Sequence, residues 1–326
     1  LITRRRAQAG VAVCVLVAII AALTIGAPGR LSNAWTEFKR GGTPGNGTER
    51  LTSAAGQNRY QYWSAAIDEN ATQPLIGTGS GTFEYWWTRN GTTTDTIRDT
   101  HSLYFQTLGE LGIVGLIVLM AFLLVVLIGG GMAAVRARPP DRTVLAAALA
   151  GALGFFLTAA VDWMWQIPVV SVAMLLLASV LLVPELGDST GDASLRIPLR
   201  LGFVVLSLVA IAVIAIPLAS TSLLRQSEAD ARSGDLPAAL SAARSAQNVQ
   251  PGAASPRLQQ ALVLEIQGQL GEAAEAAQAA TARESTNWRT WVVLSRIEAK
   301  RGNAAAAVRD YRRAKSLNPR SSLFTD

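Results

Sequence analysis

Apolar residues gather into five long blocks, residues 7–27, 111–135, 144–161, 167–183 and 199–219, with almost no charge inside them. A helix rises about 1.5 Å per residue and bilayer hydrocarbon is about 30 Å thick, so blocks of this length predict membrane-crossing helices. Between the first two blocks lie nearly eighty polar residues, and after the fifth comes an alanine-rich, amphipathic tail with no long apolar run. The predicted fold class is all-α, a multi-span α-helical membrane protein with a large extracytoplasmic loop. Its domains read as a transmembrane helix over 1–29, the loop over 30–107, four further transmembrane helices over 108–221 and a second extracytoplasmic domain over 222–326.

Basic residues set the orientation. Arg4, Arg5 and Arg6 precede the first block, and Arg136, Arg138 and Arg142 follow the second. Positive charge stays in the cytoplasm, which puts the loop, the turn at 162–166 and the tail on the outer face. A basic start followed by an apolar centre is shared with signal peptides, but the long apolar core and the later spans favour a membrane helix. The chain opens at Leu1 and enters a span almost at once, which reads as a fragment or a processed product. Half of the 326 residues are hydrophobic and 16% are charged, with a net charge of +6. Mean hydropathy of +0.29 leaves room for polar domains beside the spans. The positive charge forms no compact stripe with interleaved aromatics, so nucleic acid is not an expected partner. Cys14 is the lone cysteine, which excludes an internal disulfide and a cysteine-based metal site.

The loop is too long for a structureless connection and predicts a functional subdomain. Its Gly-, Thr- and Asn-rich part around residues 41–52 predicts mobility. A helix is predicted from Asn58 through Asp68, followed by a glycine-rich turn over 73–81. The glycines lack the lysine and flanking elements of a phosphate-cradling loop. Tyr60, Tyr62, Trp63, Phe83, Tyr85, Trp86, Trp87, Tyr104 and Phe105 fall in one short stretch of sequence. Such rings either anchor at the lipid head groups or stack on the apolar faces of sugars.

His101 is the only histidine and stands just before the second apolar block. A histidine there can titrate near neutral pH and face water and head groups together; its bland alternative is an interfacial ring bonded to a backbone carbonyl. Arg98 lies three residues earlier and shares its face if a helix begins before His101. Glu110 lies nine residues on, a poor direct partner within one helix, and its natural neighbour is Gln106. Arg59 is the other guanidinium expected near His101. Asp162, in the 162–166 turn, pairs with an outer-loop arginine or stands as a solvated cap.

Three pieces of sequence occur in a telling order. They are Arg59-Tyr-Gln-Tyr-Trp63, then Pro74-Leu-Ile-Gly-Thr-Gly-Ser-Gly-Thr-Phe83, then His101-Ser-Leu-Tyr-Phe-Gln-Thr-Leu-Gly-Glu-Leu-Gly-Ile-Val-Gly-Leu116. Together they resemble the O-antigen ligase and O-antigen polymerase family of bacterial envelope glycosyltransferases. That resemblance implies an inner-membrane enzyme that moves a glycan from a polyprenyl diphosphate-linked donor to a glycan or other envelope acceptor. It implies His101 as the base or acceptor-positioning group and Arg59 as the contact to the diphosphate. Arg98, Tyr62, Trp63, Trp86, Trp87 and Tyr104 are the expected substrate contacts, Arg98 from spacing alone. No acidic cluster with metal-ligand spacing occurs in the loop, so a metal-independent reaction without a cofactor is expected. Family members carry further spans and arginines ahead of the large loop, so a true start at Leu1 would leave the donor groove half missing.

The tail repeats. Gly234, Gly271 and Gly302 each begin similar segments, at spacings of 37 and 31 residues, a mean of ~34 that resembles the tetratricopeptide period. Ala239, Ala276 and Ala307 fall five residues after each glycine, and Pro251, Trp288 and Pro319 fall seventeen after. About three degenerate repeats are expected, forming a C-terminal TPR-like α-solenoid that caps the outer face or recruits a protein partner. The competing functional reading is a non-catalytic membrane-anchored scaffold whose repeats recruit envelope-assembly proteins.

Overall fold

The computed structural model describes residues 27–42, 55–187 and 193–324, and every regular element among them is helical. The expected first span and most of the glycine-rich stretch after Gly41 lie outside the described residues. The helices before the tail are α1 (Ala27–Arg40), α2 (Arg59–Thr72), α3 (Phe83–Asn90), α4 (Leu103–Arg136), α5 (Asp141–Val161), α6 (Pro168–Gly187) and α7 (Ala193–Ser233). Three are long and apolar enough to cross a membrane: α4, α5 and the Ser207–Ser233 part of α7. Pro168–Leu182 is a shorter apolar helix. Only 17% of the apolar window of α4 is buried: Leu123 and Val126 pack inward, while Val114, Ile117, Val118, Leu124 and Val125 are exposed.

The chain forms two compact units. The first holds the described residues up to Phe83, with Arg98–Leu127 and Leu149–Leu177. Its defining feature is a break in α4 at Gly112, where φ is 68° and ψ is −169°, a region open essentially to glycine alone. Such a break frees backbone groups on both sides. The Pro74–Gly79 turn takes them up, with Thr78 and Gly79 N–H donating to the carbonyls of Gly109 (3.3 Å) and Glu110 (2.9 Å). Reciprocally, the N–H groups of Ile113 and Val114 donate to the carbonyls of Pro74 (2.8 Å) and Leu75 (3.1 Å). The backbones lie so close that a Cβ on Gly112 would strike the Leu75 carbonyl, and one on Gly77 would strike the Glu110 carbonyl. Two of the three sequence pieces singled out above therefore meet each other directly.

The second unit comprises Glu84–Ile97, Ile128–Ala148 and the chain from Ala178 onward. Its tail helices are α8 (Leu236–Val249), α9 (Ser255–Ile266), α10 (Leu270–Arg283), α11 (Trp288–Lys300) and α12 (Ala304–Leu317). With the end of α7 they make three hairpins, α7/α8, α9/α10 and α11/α12, each packed on the next. Gly234, Gly268 and Gly302 turn the three hairpins at positive φ of 88°, 78° and 80°.

These glycines stand 34 residues apart each time, which corrects the middle register: Gly268, not Gly271, is the equivalent position. Ala273 then replaces Ala276 and Ser285 replaces Trp288. Ala239 and Ala273 are fully buried and Ala307 nearly so, where only a methyl fits between the helices. Asp235 and Asn303 cap α8 and α12 by accepting from the N–H of Ala238 (3.0 Å) and Ala306 (3.4 Å). Buried Glu265 ties α9 to α11 through Arg296 and Lys300 (2.6 and 2.8 Å).

The expected boundary at residue 222 falls inside a helix. α7 runs unbroken through Thr221 and Ser222, whose hydroxyls donate back to the carbonyls of Pro217 (2.7 Å) and Leu218 (3.0 Å). The polar residues are thereby absorbed into the helix and do not end it.

Candidate functional site

The first unit gathers the histidine, an arginine and the turn after α5 at one end of its helices. His101 sits in a loop, not on a helix: α4 begins at Leu103, and His101 has a left-handed φ of 56°. Arg98, exposed and ahead of that turn, therefore shares no helical face with it. The loop is held rigid by its own side chains. Thr100 Oγ1 donates to the Ser102 carbonyl (2.8 Å), and Thr100 N–H donates to Gln106 Oε1 (2.8 Å). Gln106 in turn donates to Glu110, the neighbour its spacing indicated.

The left-handed turn brings Asp99 under the imidazole. Asp99 Oδ1 accepts from the His101 backbone N–H (3.0 Å) and lies 3.0 Å from His101 Nδ1. The pair is mostly buried, with 27% of the histidine side chain and 19% of the aspartate exposed. The hydrogen bond to Asp99 raises the His101 pKa above its ordinary value, against burial and the nearby Arg59 charge, which lower it. Burial pushes Asp99 upward, but its bonds to the ring and backbone of His101 outweigh that and hold it below the usual carboxylate range. Gln166, in the turn after α5, adds a side-chain hydrogen bond to Asp99. Among the described residues nothing hydrogen-bonds Nε2 of His101.

Arg59 opens α2 and reaches the end of α5. Its Nε donates to the Val161 carbonyl (2.7 Å), Nη1 donates to Gln57 Oε1 (3.2 Å), and Nη2 lies 3.9 Å from Asp162. Asp162 is 46% exposed, so that last pair is loose. A guanidinium has five N–H donors, and two of those on Arg59 are engaged by hydrogen bonds.

The aromatic residues divide. Tyr62 is buried with its ring 5.5 Å from the imidazole. Trp63 stacks on Phe105 at 5.1 Å and donates its indole N–H to the Thr100 carbonyl (3.1 Å), bracing the histidine loop. Tyr104 donates its hydroxyl to the Phe156 carbonyl of α5 (2.9 Å). Trp86 and Trp87 belong to the second unit. Trp87 is a core residue there, 1% exposed, with its N–H on the Asp95 carbonyl (2.9 Å).

Asp99 and Gln166 were not picked out from the sequence. An aspartate two residues before a histidine faces away from it in a helix and stands well beyond hydrogen-bond reach along the same face of an extended strand, and the positive φ at His101 folds it back. Beneath the glycine turn lies another unforeseen group, Glu69, which is fully buried. It accepts from Thr78 Oγ1 (2.7 Å) and Thr82 Oγ1 (3.3 Å), and burial pushes its pKa up to about 7.

Residues 1–120 match the family model described as O-Antigen ligase. The matched segment includes Arg59, the Pro74–Gly79 turn, Asp99, His101 and Gly112, and it ends inside α4. No curated protein matches this chain.

Proposed function

We propose that this chain is a membrane glycosyltransferase of the O-antigen ligase or polymerase type, moving a glycan from a polyprenyl diphosphate carrier to a hydroxyl acceptor at the outer face of a bacterial inner membrane. The observation that carries this reading is the Asp99–His101 pair beside Arg59, inside the segment that matches the O-antigen ligase model. With Nδ1–H donated to Asp99, the imidazole lone pair lies on Nε2, which nothing in the described chain hydrogen-bonds. An acceptor hydroxyl gives its proton to Nε2 as its oxygen attacks the anomeric carbon. The bond from that carbon to the phosphate oxygen breaks, and the electron pair leaves with the diphosphate. The uncommitted donors of Arg59 suit that departing charge, because a guanidinium stays protonated and meets phosphate oxygens in pairs.

The reaction proposed is metal-independent, with charge stabilisation assigned to Arg59. A single well-placed donor of this kind contributes about 3–4 kcal/mol to a charged transition state. The three hairpins at a 34-residue period support a tetratricopeptide-like reading of the tail, with an adaptor role toward envelope proteins.

The test is transfer in membranes from polyprenyl diphosphate-linked donor, with donor binding measured separately. His101→Ala is expected to bind donor and lose transfer, and Arg59→Ala to lose donor binding. Parent-like behaviour of both variants, at equal protein level, would favour the scaffold reading.

A further inference from the structure

Within the second unit the repeats hold a piece of the loop. Arg320, just after α12, donates Nη2 to the carbonyls of Trp87 and Thr88 (both 3.1 Å) and Nε to the carbonyl of Thr93 (3.2 Å). At the other end of the segment Arg289 pairs with Glu84 (2.7 Å), and Tyr85 donates to Glu284 (3.5 Å). These contacts leave a cleft of about 530 Å³ between the 88–96 stretch and the end of the solenoid. That size lies within the range of about 300–1,000 Å³ typical of small-molecule sites.

The chemistry of its walls is selective. The hydroxyl residues Thr93, Thr94, Thr96, Ser321 and Ser322 and the amide residue Asn318 line it, with Trp288 as the aromatic wall, its ring packed edge-on against Phe324 and carrying the Glu84-paired Arg289 5.0 Å from its centroid. None of its lining residues is Ala, Val, Leu, Ile or Met, so beside Trp288 an acyl chain or an apolar helix would meet no wholly apolar side chain. Its cation, Arg320, is already committed to three carbonyls, and Asp95 stands at the wall as an anion. A phosphate group therefore meets no free positive charge there. Many neutral donors and acceptors around one aromatic surface fit a hydroxyl-rich ligand.

We propose that this cleft is a saccharide subsite, holding the sugar part of a glycan and not its phosphate end. The proposal rests on the glycan-transfer reading above for the choice of ligand. The repeats then serve as a glycan rest as well as a helical scaffold, and Arg320 builds the subsite by fixing the loop wall. Thr94 and Ser322 are exposed, so large side chains there fill the cleft without disturbing the core.

The probe is the oligosaccharide pool released by mild acid from the source membrane's polyprenyl-linked glycans. Binding to the full chain in detergent is measured by calorimetry for the parent, Thr94→Trp, Ser322→Trp and His101→Ala, with melting temperature as the folding check. The expected result is binding by the parent and His101→Ala, weakened at least tenfold in both cleft-filling variants at unchanged melting temperature. No binding by the parent, or parent-like binding by both filled variants, overturns the subsite. Because His101→Ala is expected to bind, a failure of transfer at His101 is read separately from a failure of the cleft.

Discussion

Glu69 offers the most quantitative check on the packing beneath the glycine turn. Its carboxyl is fully buried and held by two threonine hydroxyls, with Oε2 lacking a partner among the described residues. Burial is the main cause that lifts its pKa from 4.5 to about 7, with the neighbouring Glu110 adding to it. Between these two values the folded chain keeps a proton that the unfolded chain releases, so stability falls as pH rises through that window. The penalty is absent below about pH 4.5 and complete above about pH 7; at 1.36 kcal/mol per pH unit it amounts to about 3 kcal/mol. Glu69→Gln removes the charge while keeping the shape. Its melting temperature should exceed the parent's at pH 8 by roughly 6–12 °C, taking about 2–4 °C per kcal/mol for a chain of this size. The two should converge near pH 5. The assay is thermal melting of detergent-solubilised protein at half-unit pH steps from 4.5 to 8.5. An identical pH trend in parent and variant would refute the buried, protonated carboxyl.

Three further outcomes follow from named contacts. Gly112→Ala should destabilise by about 1–3 kcal/mol from its backbone conformation alone, with more from the collision with Leu75, read as earlier melting and faster proteolysis within residues 74–79. Asp99→Asn should lower the His101 pKa, so the acid limb of the transfer rate moves to lower pH while the plateau falls, measurable as a pH–rate profile. Arg320→Ala should free the 84–97 segment from the tail helices, seen as faster amide exchange across Thr88 and Thr93 with α9–α12 unchanged.

What could be read from the sequence was what repeats at short range. Three of the five apolar blocks appear in helices long and apolar enough to cross a membrane, the block at 167–183 forms the shorter Pro168–Leu182, and the first lies outside the described residues. The helix after Asn58 appeared as Arg59–Thr72, and the glycine cluster formed the expected turn. Similar glycine-led segments, at spacings of 37 and 31 residues, pointed to a repeated helical unit, although Gly271 drew the middle unit three residues out of register. Gly268 has the same role as Gly234 and Gly302, but a second glycine nearby masks it, and only its positive φ distinguishes the two. The Asp99–His101 pair was hidden for a related reason. Its geometry depends on one left-handed residue, a conformation that a histidine does not advertise. The pairing of Pro74–Gly79 with residues 109–114 is non-local, and nothing in either stretch alone says that α4 breaks there. The continuity of α7 was masked by polar residues whose hydroxyls turn back onto the helix.

The central claim is that His101 removes the acceptor proton. Its most direct test is the initial rate of glycan transfer in proteoliposomes carrying the full chain, a polyprenyl diphosphate-linked donor and acceptor at saturation, for parent and His101→Ala. Loss of a general base should slow transfer by about 10²–10⁴-fold at neutral pH with donor affinity unchanged. A His101→Ala rate within twofold of the parent would contradict the assignment.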